Sequence, residues 1–182
     1  MASIRALWRK PLRKKILISW VLAMLLMLAS ACLGFEMQSA SGGEIAAVNF
    51  IPAREIFINN LSMLGMNLLG ILLLGIPNLI SGVMNGYAMG SFASIAGKQF
   101  GIGWALKAIL PHGWLELPVI LLAISFGAVP WIYIISRLRC PNQNRKTLLK
   151  QLVKYLCIAS LICVAALLLA AIIEASVSMQ IC

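Results

Sequence analysis

The sequence predicts an all-α fold, a polytopic membrane helix bundle of about five transmembrane helices, and three observations predict it. Of its 182 residues 62% are hydrophobic and 11% charged, against about 45–50% apolar and about 25% charged in soluble domains. Apolar runs recur at roughly the ~20 residues needed to cross a bilayer. Lysine and arginine gather in two segments that five crossings would place on one side. A water-soluble domain of this length could not hide so much apolar surface.

The elements follow in order. A basic arm, residues 1–15, carries Arg5, Arg9, Lys10, Arg13, Lys14 and Lys15, and leads into a first apolar run, Ile16 to Phe35. Ala29-Ser30-Ala31-Cys32 resembles a signal-peptidase or lipoprotein site, but the run continues past it to Phe35, which favours an uncleaved anchor. A second run starts near Ile56 and ends at Ile76-Pro77-Asn78, a third covers Leu79 to about Gly97, a fourth Trp114 to Ile135 and a fifth Tyr155 to Ile173. Between the third and fourth, Lys98 to Leu110 is too interrupted for a span. It suits an interfacial or re-entrant helix, with Phe100 and Trp104 on one face. The short link Gly75–Asn78 makes spans two and three an antiparallel hairpin.

Orientation comes from the cations. The arm and the loop after span four, with Arg137, Arg139, Arg145, Lys146, Lys150 and Lys154, fall on one side and define it as cytoplasmic. The N-terminus is therefore expected inside and the C-terminus outside, with Glu36, Glu44 and Glu55 in the outer loop. A net charge of +10 then points to anionic inner-leaflet lipid as a partner. No aromatic-interleaved basic groove supports nucleic acid. The chain reads as a single integral membrane domain, 1–182.

Spans two and three carry polarity. Span two holds Asn60 and Asn67; span three holds Ser81, Asn85, Ser91 and Ser94, with Gly82, Gly86 and Gly90 at four-residue spacing. That doubled GxxxG lets a second backbone approach closely. Amides in hydrocarbon need partners, so spans two and three are expected to pack together with Asn67 and Asn85 bonding across them. Span four would join this polar centre, and spans one and five would shield it.

The stretch "LPHGWLELP", Leu110 to Pro118, contains the one histidine. If Pro111 opens a helix, His112 and Glu116 at i and i+4 share a face at the outer end of span four, near the depth of Asn60 and Ser94. Such a cluster could be a structural lock, a ligand site, or a general base. The chain has no aspartate, which excludes a Ser-His-Asp triad, and one histidine with one glutamate is too few for a metal site. No metal or other cofactor is expected. The five cysteines show no metal-ligand spacing: Cys157 and Cys163 read as apolar filler, Cys140 faces the cytoplasm, and Cys32 and Cys182 share the outer face, where a disulfide is open.

Asn60, the glycine-rich span two, "MNGYAMG" (Met84–Gly90) and "LPHGWLELP" followed by Gly127 resemble the stage II sporulation protein M family over roughly 54–130. The motif positions on this resemblance are Asn60, Asn85, Gly86, Gly90, His112, Gly113, Glu116 and Pro118. The resemblance is to the general family, since the sporulation protein itself departs from PHG-x-x-E. It implies a membrane scaffold: the sporulation member gathers cell-wall hydrolases during engulfment of the forespore. Other members accompany circular bacteriocin clusters, with an inferred part in maturation, export or self-protection. The resulting expectation is a non-enzymatic scaffold in the cell membrane that holds membrane, cell-envelope or peptide partners, with a homo-oligomer also open. The alternatives are a component for maturation, export or immunity of a small peptide, and an intramembrane hydrolase using His112 and Glu116.

Overall fold

The structure, a computed structural model, describes residues 10–41, 52–139 and 144–181, with side chains except at 10–13, 41, 106–112, 139, 174 and 177–181. Helix dominates and no strand occurs among the described residues. In chain order the helices are α1 (Lys10–Ser41), α2 (Ala53–Leu69), α3 (Ile76–Phe100), α4 (Ile102–Ser125), α5 (Val129–Arg139) and α6 (Arg145–Ile181). Two 3-10 segments interrupt them, Gly70–Leu73 after α2 and Phe126–Ala128 between α4 and α5. Among the described residues four stretches are long and apolar enough to cross a membrane: Lys14–Ala40, Ala53–Leu73, Gly113–Leu138 and Arg145–Ile173. This is a helical membrane protein.

The expected third span lies inside α3, which is not among those four stretches. Its serines, asparagines and glycines lower its hydropathy, and its 25 residues extend about 37 Å at 1.5 Å per residue. What covers its glycine face differs from the sequence expectation. α3 packs most extensively against α1, and only lightly against α2. A Cβ at Gly86 would collide with the Met27 carbonyl and one at Gly90 with the Ala31 carbonyl, while Gly34 on α1 faces the Tyr87 carbonyl in return. Small residues on both helices bring the two backbones together and gain dispersion contacts. α1 is thus the main partner of α3, with Leu17 and Leu25 on its outer face exposed.

α6 packs along α4 and α2, and Leu152, Tyr155, Cys163 and Leu167 enter one core with Leu64 of α2 and Val119 and Ala123 of α4. Phe126 fills the centre and meets Tyr155 edge to face, with ring centroids 6.3 Å apart. Cys163 is buried in this core and Cys157 faces outward.

The segment from Ile102 to Leu110 is not a separate interfacial helix. It is the first part of α4, which runs unbroken from Ile102 to Ser125, so Pro111 lies inside the helix instead of opening it. The chain turns at Gly101, whose φ of 86° only glycine adopts at low cost. Phe100 and Trp104 flank that corner from α3 and α4, with centroids 4.5 Å apart. At the opposite end of the bundle Leu74 and Gly75 both take left-handed conformations, φ 53° and 82°. They reverse the chain between the first 3-10 segment and α3, and the Gly75 N–H donates to the Gly70 carbonyl at 2.9 Å.

Candidate functional site, a polar centre between three helices

Three asparagines build the interior polar centre. Asn67 on α2 is buried, and its Nδ2 donates to its own helix at Met63 O (2.9 Å) and across to Ser81 Oγ on α3 (3.1 Å). Asn85 donates to Ser81 O at 2.7 Å and reaches Met63 Sδ at 3.3 Å. Asn67 and Asn85 therefore meet through Ser81 and Met63, not by the direct bond the sequence suggested. Asn85 lies one turn beyond Ser81, and a short amide finds the carbonyl of its own preceding turn first.

The third asparagine was missed by the sequence reading, which took Pro77-Asn78 for a break. Asn78 is fully buried, and its Nδ2 donates to Asn67 O at 2.9 Å and to Ala123 O at 3.0 Å. Both acceptors lie within a turn of the point where an α-helix tightens to 3-10, at Leu69 and at Ser125. Backbone bonds shorten to i→i+3 at such points, as the bond from the Phe126 N–H to Ala123 O does, and one side chain reaches both carbonyls. The space comes from glycine. A Cβ at Gly70 would collide with Asn78 Oδ1, one at Gly75 with the Gly127 carbonyl, and one at Gly127 would lie 2.7 Å from Asn78 Cβ. A carboxamide one residue after a proline at a helix start was the available signal; it became legible only beside the glycines.

At the other end of α2, Asn60 is buried and donates through Nδ2 to Oε1 of Glu116 on α4. Ser94 takes a different partner, Ser39 Oγ on α1, at 2.8 Å. Lys98 Nζ donates to the Ser39 carbonyl, so the ends of α1 and α3 are pinned twice. The expected set of Asn60, Ser94, His112 and Glu116 is thus divided: Asn60 and Glu116 join α2 to α4, and Ser94 joins α3 to α1. The His112 side chain lies outside the described residues, as do Cys140 and Cys182. Among the described residues no group of three or more His, Cys, Asp or Glu comes together as a metal site would require.

The family model described as stage II sporulation protein M matches residues 15–179. The chain belongs to the stage II sporulation protein M family. The match extends beyond 54–130 on both sides and takes in most of α1 and of α6. No curated protein and no solved structure matches the chain. Several of the positions that carried the resemblance have a physical role in this structure. Gly86 and Gly90 admit the α1 backbone, Asn60 and Glu116 hold α2 against α4, and Asn85 sits on the Ser81–Met63 junction.

Proposed function

We propose that this member of the stage II sporulation protein M family is a non-enzymatic scaffold of the cell membrane. It crosses five times, with its N-terminus in the cytoplasm, and holds envelope proteins or peptides by its helix faces. The observation that carries this reading is the Asn60–Glu116 bond. The glutamate that could have served as a general base accepts a hydrogen bond from a buried amide of another helix, which suits a bundle lock. Asn67, Asn78 and Ser94 likewise bond to other helices, which suits the same role. Long apolar flanks, including Leu17, Leu25 and Leu161, stay exposed as surfaces for lipid or partner helices.

The deciding experiment crosslinks the chain in its native membrane and compares wild type with His112→Ala and Glu116→Gln. A scaffold keeps the same set of crosslinked envelope proteins in both variants. Loss of a measurable hydrolysis or peptide-processing activity in folded His112→Ala would overturn the reading.

A further inference from the structure

A cavity of about 320 Å³ opens between α1, the start of α3 and the α4–α5 junction, within the roughly 300–1,000 Å³ of small-molecule sites. Its floor is buried, formed by Ala23, Asn78, Ile124 and Ser125, whereas Leu22, Leu79 and Trp131 at its rim are 60%, 58% and 48% exposed. The mouth therefore faces sideways, toward lipid. The polar atoms of the floor are largely turned inward. Ser125 Oγ donates to Leu122 O and Ser19 Oγ to Ile16 O, both at 2.7 Å, and Asn78 Nδ2 is spent on two carbonyls. What remains for an occupant is mainly methyl and ring surface, which suits a hydrocarbon chain.

Charge defines the other end of that occupant. Lys15 lies one helical turn before Ser19, about 6 Å along the α1 axis. Its Nζ donates to Ser136 Oγ on α5 at 2.6 Å, so the ammonium is held between the two helices that flank the cavity. An ammonium has three donors, and Ser136 accepts one. Lys14 beside it is exposed. On α5 the Trp131 ring is fixed as a rim wall by its Nε1 bond to Leu74 O at 3.0 Å. An apolar slot open to the bilayer, with two lysines one turn beyond it, matches the two halves of an anionic phospholipid.

We propose that this cavity holds one acyl chain of an anionic phospholipid whose phosphate is bound by Lys14 and Lys15. The site is a single stoichiometric one, distinct from diffuse attraction of the basic arm to the membrane surface.

The test uses the full chain in nanodiscs of phosphatidylcholine with a minor fraction of phosphatidylglycerol, followed by native mass spectrometry. One phosphatidylglycerol should stay bound per chain, enriched several-fold over its mole fraction. Lys14→Gln with Lys15→Gln should remove that enrichment, and the paired arginine variants should restore it. Ala128→Phe, which fills the cavity, should abolish the retained lipid. Should that variant not fold, wild-type protein with brominated phosphatidylglycerol gives an independent reading. Tryptophan quenching should saturate at a low mole fraction, and Trp131→Phe should remove the saturating part. Retention of no lipid, equal retention of both headgroups, or quenching that only follows bulk lipid composition would each overturn the proposal.

Discussion

The side-chain amide of Asn78 lies 2.9 Å from the main-chain oxygen of Asn67, eleven residues earlier in the chain and on another helix. The same nitrogen reaches Ala123 O, so one amide group caps carbonyls on α2 and α4 from the first turn of α3. Asn78→Ala should lower stability by about 1–3 kcal/mol through the loss of two hydrogen bonds at about 0.5–1.5 kcal/mol each. Thermal unfolding in detergent, followed by fluorescence size-exclusion, measures it. Asn78→Gln should fail to restore stability, because its extra methylene has no room beside Gly70 and Gly127.

Two glycines in apolar helices should respond in opposite directions. A Cβ at Gly90 would overlap the Ala31 carbonyl, whereas one at Gly65 meets nothing within 4 Å. Gly90→Ala is expected to cost about 1–3 kcal/mol by forcing α1 and α3 apart. Gly65→Ala should instead stabilise by up to about 0.5–1 kcal/mol, the helix-interior penalty of glycine. The same unfolding assay separates them, and equal effects would remove the assignment of α1 to the glycine face.

The Asn60–Glu116 bond predicts a graded series. Glu116→Gln keeps an acceptor opposite the Asn60 amide and should be mild. Asn60→Ala removes the donor, with a loss of about 1–3 kcal/mol, typical of a partly buried acceptor left without its donor. Asn60→Asp, which sets a second carboxylate against the first, should be the most damaging at neutral pH. Differential scanning fluorimetry across the three checks the order.

Orientation is tested at two exposed positions, Arg54 and Lys146. In a background without native cysteines, Arg54→Cys should react with an impermeant maleimide on intact cells. Lys146→Cys should react only after permeabilisation. The reverse pattern would invert the proposed topology.

Membrane character and helical class were legible because both follow from composition and run length, which need no knowledge of neighbours. Most polar positions were legible too, since an amide in an apolar run stands out whatever surrounds it; Asn78, beside a proline at a helix start, was not. The partners of these positions were not legible. Asn85 was assigned to Asn67 but sits on Ser81 of its own helix. Ser94 was grouped with Glu116 but bonds Ser39. Depth along a helix can be counted from sequence, whereas azimuth relative to the other helices cannot.

By itself, then, the sequence determined that this is a membrane helix bundle of the stage II sporulation protein M family, with its polarity on the second and third apolar runs and its glycines at four-residue spacing. Only the tertiary structure decided that the glycine face receives α1, that Asn78 ties two 3-10 transitions together, and that Gly101 rather than Pro111 starts α4. The physical reason is common to all three. A glycine face or a buried amide specifies that close approach or a partner is required, but several helices can satisfy either. The choice among them is made by how the described helices fill space together.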